Sequence, residues 1–273
     1  MSEEATPERK VDSPVPEPVG RPAGRYTARF AVIYAGLGVV LVAALVGLGV
    51  LATGSSGHGV SASGWSTWKP ANGTTAKMTK EIADHVAGEY HLNKKGTQLV
   101  AVVSGPPQVT NGTRKVTISN LAVKQAATTN KGIQIVPSGS MWTDQLCGLT
   151  PSCSIASGQA TELRGRLVRR EALEVALYTF KFVPAIKSIV AFMPPPTGST
   201  ASTLLYLQKE NFAKQLSEPL SKTLPLVKPP LPTAPDNAEA PTIDKLTLPA
   251  VYKYSLQQLQ DTSALLVLNP FQT

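Results

Sequence analysis

Residues 157–193 read SGQATELRGRLVRREALEVALYTFKFVPAIKSIVAFM, a long helix pattern joined to a strand pattern with little more than a proline between them. Ser157 offers a side-chain oxygen to the free backbone N–H groups of a first turn, and the helix is predicted to run to about Phe182. Glu162, Arg166, Arg170 and Glu174 stand at successive i,i+4 positions and predict one charged face with two opposite-sign steps. From Ala172 to Phe180 (ALEVALYTF) the composition is almost wholly apolar, so the second half is expected to be deeply buried. Pro184 removes a donor and stops the helix. Ile186–Met193 then reads as a β-rich strand closed by Pro194, Pro195 and Pro196.

Downstream, Thr203–Gln208 (TLLYLQ) fits a partner strand, reached through the turn Thr197-Gly198-Ser199. A helix is expected around Phe212–Leu220. Residues 228–241, KPPLPTAPDNAEAP, read as an extended linker or long surface loop. Tyr252–Leu256 and Ala264–Leu268 predict a last hairpin around Asp261-Thr262-Ser263. Upstream, Met78, Ile82 and Val86 recur at four-residue steps behind Thr75, which predicts a capped helix. Gln98–Ser104, Lys115–Lys124 and Gly132–Val136, separated by turn residues, predict an antiparallel meander. The expectation is one α+β domain over residues 67–273, with short antiparallel strands and about three helices.

Ahead of that domain lies Phe30–Ala52, FAVIYAGLGVVLVAALVGLGVLA, without charge, Asn, Gln, Ser, Thr or Pro. As a helix it would extend about 34 Å, enough to cross a hydrocarbon core of about 30 Å. It is longer than a cleavable signal core, and predicts one uncleaved transmembrane helix. Arg21, Arg25 and Arg29 crowd its N-terminal side, whereas the first base beyond it is Lys69. The N-terminus is therefore expected in the cytoplasm and the domain on the outer face of a plasma membrane. Residues 1–29, rich in Pro and charge, predict a disordered tail, and 53–66 a Gly/Ser tether. Ala31 and Ala35, and Ala43 and Gly47, form small-xxx-small strips that predict possible self-association through the span.

The tail holds as many acids as bases, so the whole formal charge of +8 belongs to the rest of the chain. That excess suits a soluble domain kept from zero charge, or attraction to an anionic envelope polymer or lipid headgroups. Only Arg164, Arg166, Arg169 and Arg170 cluster. Nucleic acid is not expected as a partner, because no recognised binding motif is present. The two cysteines, Cys147 and Cys153 in QLCGLTPSCSI, are spaced for a small structural disulfide in an oxidising compartment and not for Cys-x-x-Cys redox work.

Ile135-Val136-Pro137-Ser138-Gly139-Ser140-Met141 resembles the nucleophile box of bacterial type I signal peptidases, which implies Ser140 as nucleophile and a neutral Lys as base. The matching Lys segment is missing; its nearest echo is Arg164-Gly165-Arg166-Leu167-Val168. His85 and His91, six apart, fall off a common helix face, so no metal site is expected, and no cofactor. The wording of Arg169–Met193, with LCGLTPSCSI before it, resembles a set of single-pass envelope proteins of actinobacteria, a likeness that implies no activity. The helix, proline and Val/Ile-rich strand also resemble the GerMN module of sporulation and germination proteins, which implies a binding or assembly unit. The leading expectation is thus a non-catalytic binding or assembly module of the envelope, acting on an envelope protein or anionic polymer. The alternative is an exported Ser/Lys hydrolase built on Ser140.

Overall fold

Among the described residues, nine strands form one mixed sheet that bends into a nearly closed barrel, with four α-helices against it. The computed structural model describes residues 64–111, 114–124, 132–234 and 238–271. In chain order the elements are α1 (Thr75–Glu89), β1 (Ala101–Gly105), β2 (Gln108–Asn111), β3 (Arg114–Lys124), β4 (Ile133–Pro137) and β5 (Met141–Cys147). They continue with α2 (Glu162–Phe182), β6 (Ser188–Phe192), β7 (Thr203–Gln208), α3 (Ala213–Ser217), α4 (Ala240–Thr247), β8 (Val251–Gln258) and β9 (Ala264–Pro270). The strand order is β1-β5-β6-β7-β8-β9-β3-β2, with β4 also paired to β3.

The unit β5–α2–β6 is the centre. Thr161 caps α2, its Oγ1 accepting from the Arg164 amide at 3.2 Å, four residues later than the expected Ser157. Val183 follows the last turn, and Pro184 prevents continuation. The chain returns so that β6 lies parallel to β5, with Thr143 against Val190 and Asp144 against Ala191. A parallel pair requires such a crossover, and the helix supplies it. Ile189, Ala191, Leu205 and Leu207 face the core under the helices, with Ile82, Val86, Leu173, Leu177 and Phe180. Their strand neighbours Val190, Phe192 and Leu204 point the other way, into a second core with Ile118, Leu121, Met141, Leu266 and Leu268. Both faces of β6 are covered, which explains why SIVAF shows no polar alternation.

The structure corrects the expected fold. The sheet is mixed, because β5–β6 and β3–β9 pair in parallel. Of the expected meander only the antiparallel β3–β4 pair forms: β1 pairs with β5, and β3 runs between β9 and the two partners β2 and β4. Strand direction and neighbours depend on residues far apart in the chain, to which local periodicity is blind. The β6–β7 and β8–β9 hairpins form as anticipated. The α1 cap is Thr74, one residue before the expected Thr75. Among the described residues, no helix is long and apolar enough to cross a membrane. The run Phe30–Ala52, the tail 1–29 and nearly all of the 53–66 segment lie outside them.

Cys147 and Cys153 form the predicted disulfide. It closes the turn after β5, where the Gly148 amide donates to the Cys153 carbonyl at 2.7 Å. A Cβ on Gly148 would lie 2.1 Å from the Ser154 carbonyl oxygen, so the ring closes only around glycine. Trp65 is buried against Tyr178 and Phe182 as the first aromatic of the core.

Candidate functional site

The i,i+4 charges of α2 do not make a solvated face. Arg170 is fully buried and reaches Glu239, itself buried, through Nε at 2.6 Å and Nη2 at 3.2 Å. Its Nη1 meets Tyr90 Oη and Glu174, and its Nη2 also donates to the Leu226 carbonyl at 2.9 Å. Glu239 accepts from the Leu226 amide at 2.6 Å. One arginine thereby ties α1, α2 and both ends of the proline-rich segment together. One turn earlier, Arg166 and Arg169 share Asp244 of α4, and Arg166 also pairs with Glu162. Arg164 donates to the Ser157 carbonyl at 2.9 Å. The arginine cluster is an internal clamp; burying a charge demands such pairing.

Burial, ahead of the neighbouring Glu174, raises the Tyr90 phenol well above its usual range. Burial also raises Glu174, against the opposing pull of Arg170 and the Tyr90 hydrogen bond. Glu171, fully enclosed with no partner for either oxygen among the described residues, is pushed well up by burial and then by Glu174, which favours its neutral form.

A second polar group sits where the sheet stops short of closure. Ser104 of β1 faces Asp144 of β5 and donates to its Oδ1 at 2.6 Å, while Trp142 Nε1 donates to Ser104 Oγ at 2.8 Å. Asp144 Oδ2 is buried without a partner among the described residues. Burial outweighs the Ser104 hydrogen bond and pushes the Asp144 carboxyl up to about 6. β1 ends the strand order on this side; on the other it ends on β2, with β4 beyond β3. Val103 of β1 is 52% exposed, and Ile133 and Ile135 of β4 are each 58% exposed. Among the described residues β1 and β4 each pair with a strand on one side only, and both present apolar side chains.

Ser140 ends a short 3₁₀ turn between β4 and β5 and is exposed; its carbonyl accepts from the Lys187 amide at 2.8 Å. No hydrogen bond joins its hydroxyl to a lysine side chain among the described residues. His85 stacks on Trp68 with ring centres 3.8 Å apart, and burial lowers its basicity ahead of the opposing Glu89 and Glu81. His91 forms a bridge with Gln98. Among the described residues, no group of three or more His, Cys, Asp or Glu could hold a metal. Where β7 and β8 part, Tyr206, Asn211, Lys245, Pro249 and Tyr252 line a cavity of about 210 Å³. Ligand pockets are commonly about 300 Å³ or more, and this one is small for an organic cofactor.

Sequence reasoning missed Glu239, Asp144 and the two sheet edges. Glu239 lies in a Pro-rich stretch that reads as linker, and Asp144 in a strand hidden between the Ser140 box and the cysteine turn. No protein family, curated protein or solved structure matches this chain, so the likenesses to signal peptidases, actinobacterial envelope proteins and the GerMN module gain no support.

Proposed function

We propose that this protein is a non-catalytic binding or assembly module of the bacterial cell envelope, with its N-terminus in the cytoplasm and its domain on the outer side of the plasma membrane. The placement is supported by the composition of Phe30–Ala52 and the arginines at 21, 25 and 29. The binding role is carried by one observation: the incomplete barrel offers two strand edges bearing exposed Val103, Ile133 and Ile135. A protein partner adding a strand there gains main-chain hydrogen bonds, with specificity from alternate side chains.

Photo-cross-linking residues at positions 103 and 135, with Gln257 of β8 as an exposed control, test this in cells. A discrete cross-linked envelope protein captured from both edges and not from 257 is the expected result. Capture that is equal at all three positions, or absent from 103 and 135, removes the reading. Protease added to spheroplasts tests the placement separately: the domain is digested if it lies outside.

A further inference from the structure

Beyond a protein partner, the geometry points to a second contact: the end of the domain nearest residue 64 docks on an anionic lipid surface through Lys181, Lys187 and Lys209. The inference rests on the proposed envelope placement.

Lys187 and Lys209 flank the β6–β7 pair, and the Lys209 amide donates to the Lys187 carbonyl at 2.8 Å. They are therefore cross-strand neighbours of like charge, an arrangement that costs stability unless something else is served. Alternation along the strands puts them on the side of Ile189 and Leu207, the side that α2 covers. Lys181 ends α2 at that same end, its Nζ donating to the Leu216 carbonyl at 2.8 Å. The three are close enough that Lys209, partly desolvated, is held below its usual range by burial first and by Lys187 and Lys181 next. None of the three forms an ion pair among the described residues, whereas Arg166, Arg169 and Arg170 of the same helix are paired with Glu162, Asp244 and Glu239. Lys214 of α3 is exposed nearby in the chain. Glu210 beside Lys209 and Glu218 after α3 are outnumbered by Lys181, Lys187, Lys209 and Lys214, and a net positive end of this kind is complementary to anionic headgroups.

The occupant follows from where the chain enters. Lys181 Nζ lies 5.6 Å from the centre of the Trp65 ring, and Trp65 is held by its carbonyl to Leu220 and its Nε1 to Gln215. Lys181 thus stands beside the point at which the chain arrives from Phe30–Ala52, and Lys187 and Lys209 share that end with it. The intervening residues 53–64 can reach at most ~40 Å when fully extended. Anchored in a bilayer, the chain holds this end within that reach of the headgroups by its own connectivity.

The test uses the full chain with vesicles of phosphatidylcholine alone or of phosphatidylcholine and phosphatidylglycerol, with lysine acetylation read by mass spectrometry. Phosphatidylglycerol is expected to protect Lys181, Lys187 and Lys209 and leave Lys115 of β3 unchanged, with protection lost at high salt. The K187Q/K209Q variant is expected to weaken the phosphatidylglycerol-dependent protection of Lys181, by about fivefold in lipid affinity per lysine. Equal acetylation in both lipids, or a charge-independent response of the variant, overturns the inference. Alkaline carbonate extraction of the chain from cell membranes reads the anchoring itself. Extraction with headgroup-dependent protection intact defeats the placement and leaves the lipid contact standing.

Discussion

Arg170 and Glu239 form a fully enclosed ion pair, with α2 supplying the cation and the residue just before α4 the anion. Their side chains are 1% and 0% exposed, so neither charge is relieved by solvent if the other is removed. Arg170→Ala is therefore expected to cost about 3–5 kcal/mol, because the buried Glu239 carboxylate loses the guanidinium that balances its charge. Replacing both with apolar residues, Arg170→Met with Glu239→Leu, is expected to recover most of that loss. Urea denaturation of the two variants checks this, and a double variant as unstable as the single one would contradict it.

Asp144 makes stability depend on pH in a definite direction. Its carboxyl is raised from the ordinary 3.8 to about 6, so between these values the folded state binds more protons than the unfolded. Stability from this group is complete below the unfolded value and falls as pH rises towards about 6, by up to about 3 kcal/mol. Asp144→Asn keeps an acceptor for Ser104 and cannot ionise. Denaturation midpoints are expected to show the variant more stable than the wild type at pH 8 and close to it at pH 4.

Closure of the cysteine ring depends on Gly148. Gly148→Ala places a methyl 2.1 Å from the Ser154 carbonyl, so the turn must open. The expected loss is at least that of removing the bridge by Cys147→Ser with Cys153→Ser, about 2 kcal/mol for a short loop. Free-thiol titration alongside thermal unfolding measures both effects, and an Ala variant with wild-type stability would show that the turn accommodates the group elsewhere.

Val103→Lys and Ile135→Lys add a charge to the exposed edges of β1 and β4. Partner capture is expected to disappear while stability moves by no more than about 0.5 kcal/mol, since both side chains are already more than half exposed. Loss of capture together with unfolding would mean that the edges matter for the fold and not for binding.

The elements that declare themselves locally were legible in the sequence. Pro184, the apolar run 172–180 and the turn at 261–263 delimit α2, β6 and the β8–β9 hairpin within a few residues. The charges at 162, 166, 170 and 174 were visible but their environment was not, because i,i+4 spacing serves a wet face and a buried clamp alike. What distinguishes the two is Glu239, in a stretch whose prolines suggest a spacer. β5 was concealed by Asp144, which breaks the apolar character of a strand covered on both faces. The parallel partners of β3 and β5 leave no local trace at all.

The parallel pairing of β9 with β3 bears on how the molecule comes into being. Leu121 is neighbour to Leu266, and Ala122 to Val267, so β3 waits for a strand made much later in the chain. Until then Ile118 and Leu121 lack the cover of Leu266 and Leu268. Loop closure of this span must come late, and it sets the pace of folding more than the local helices do. A nascent or truncated product is consequently sticky along β3, open to capture by chaperones and to proteolysis, whereas the finished one hides that surface. β9 thereby acts as a built-in check that synthesis has reached it.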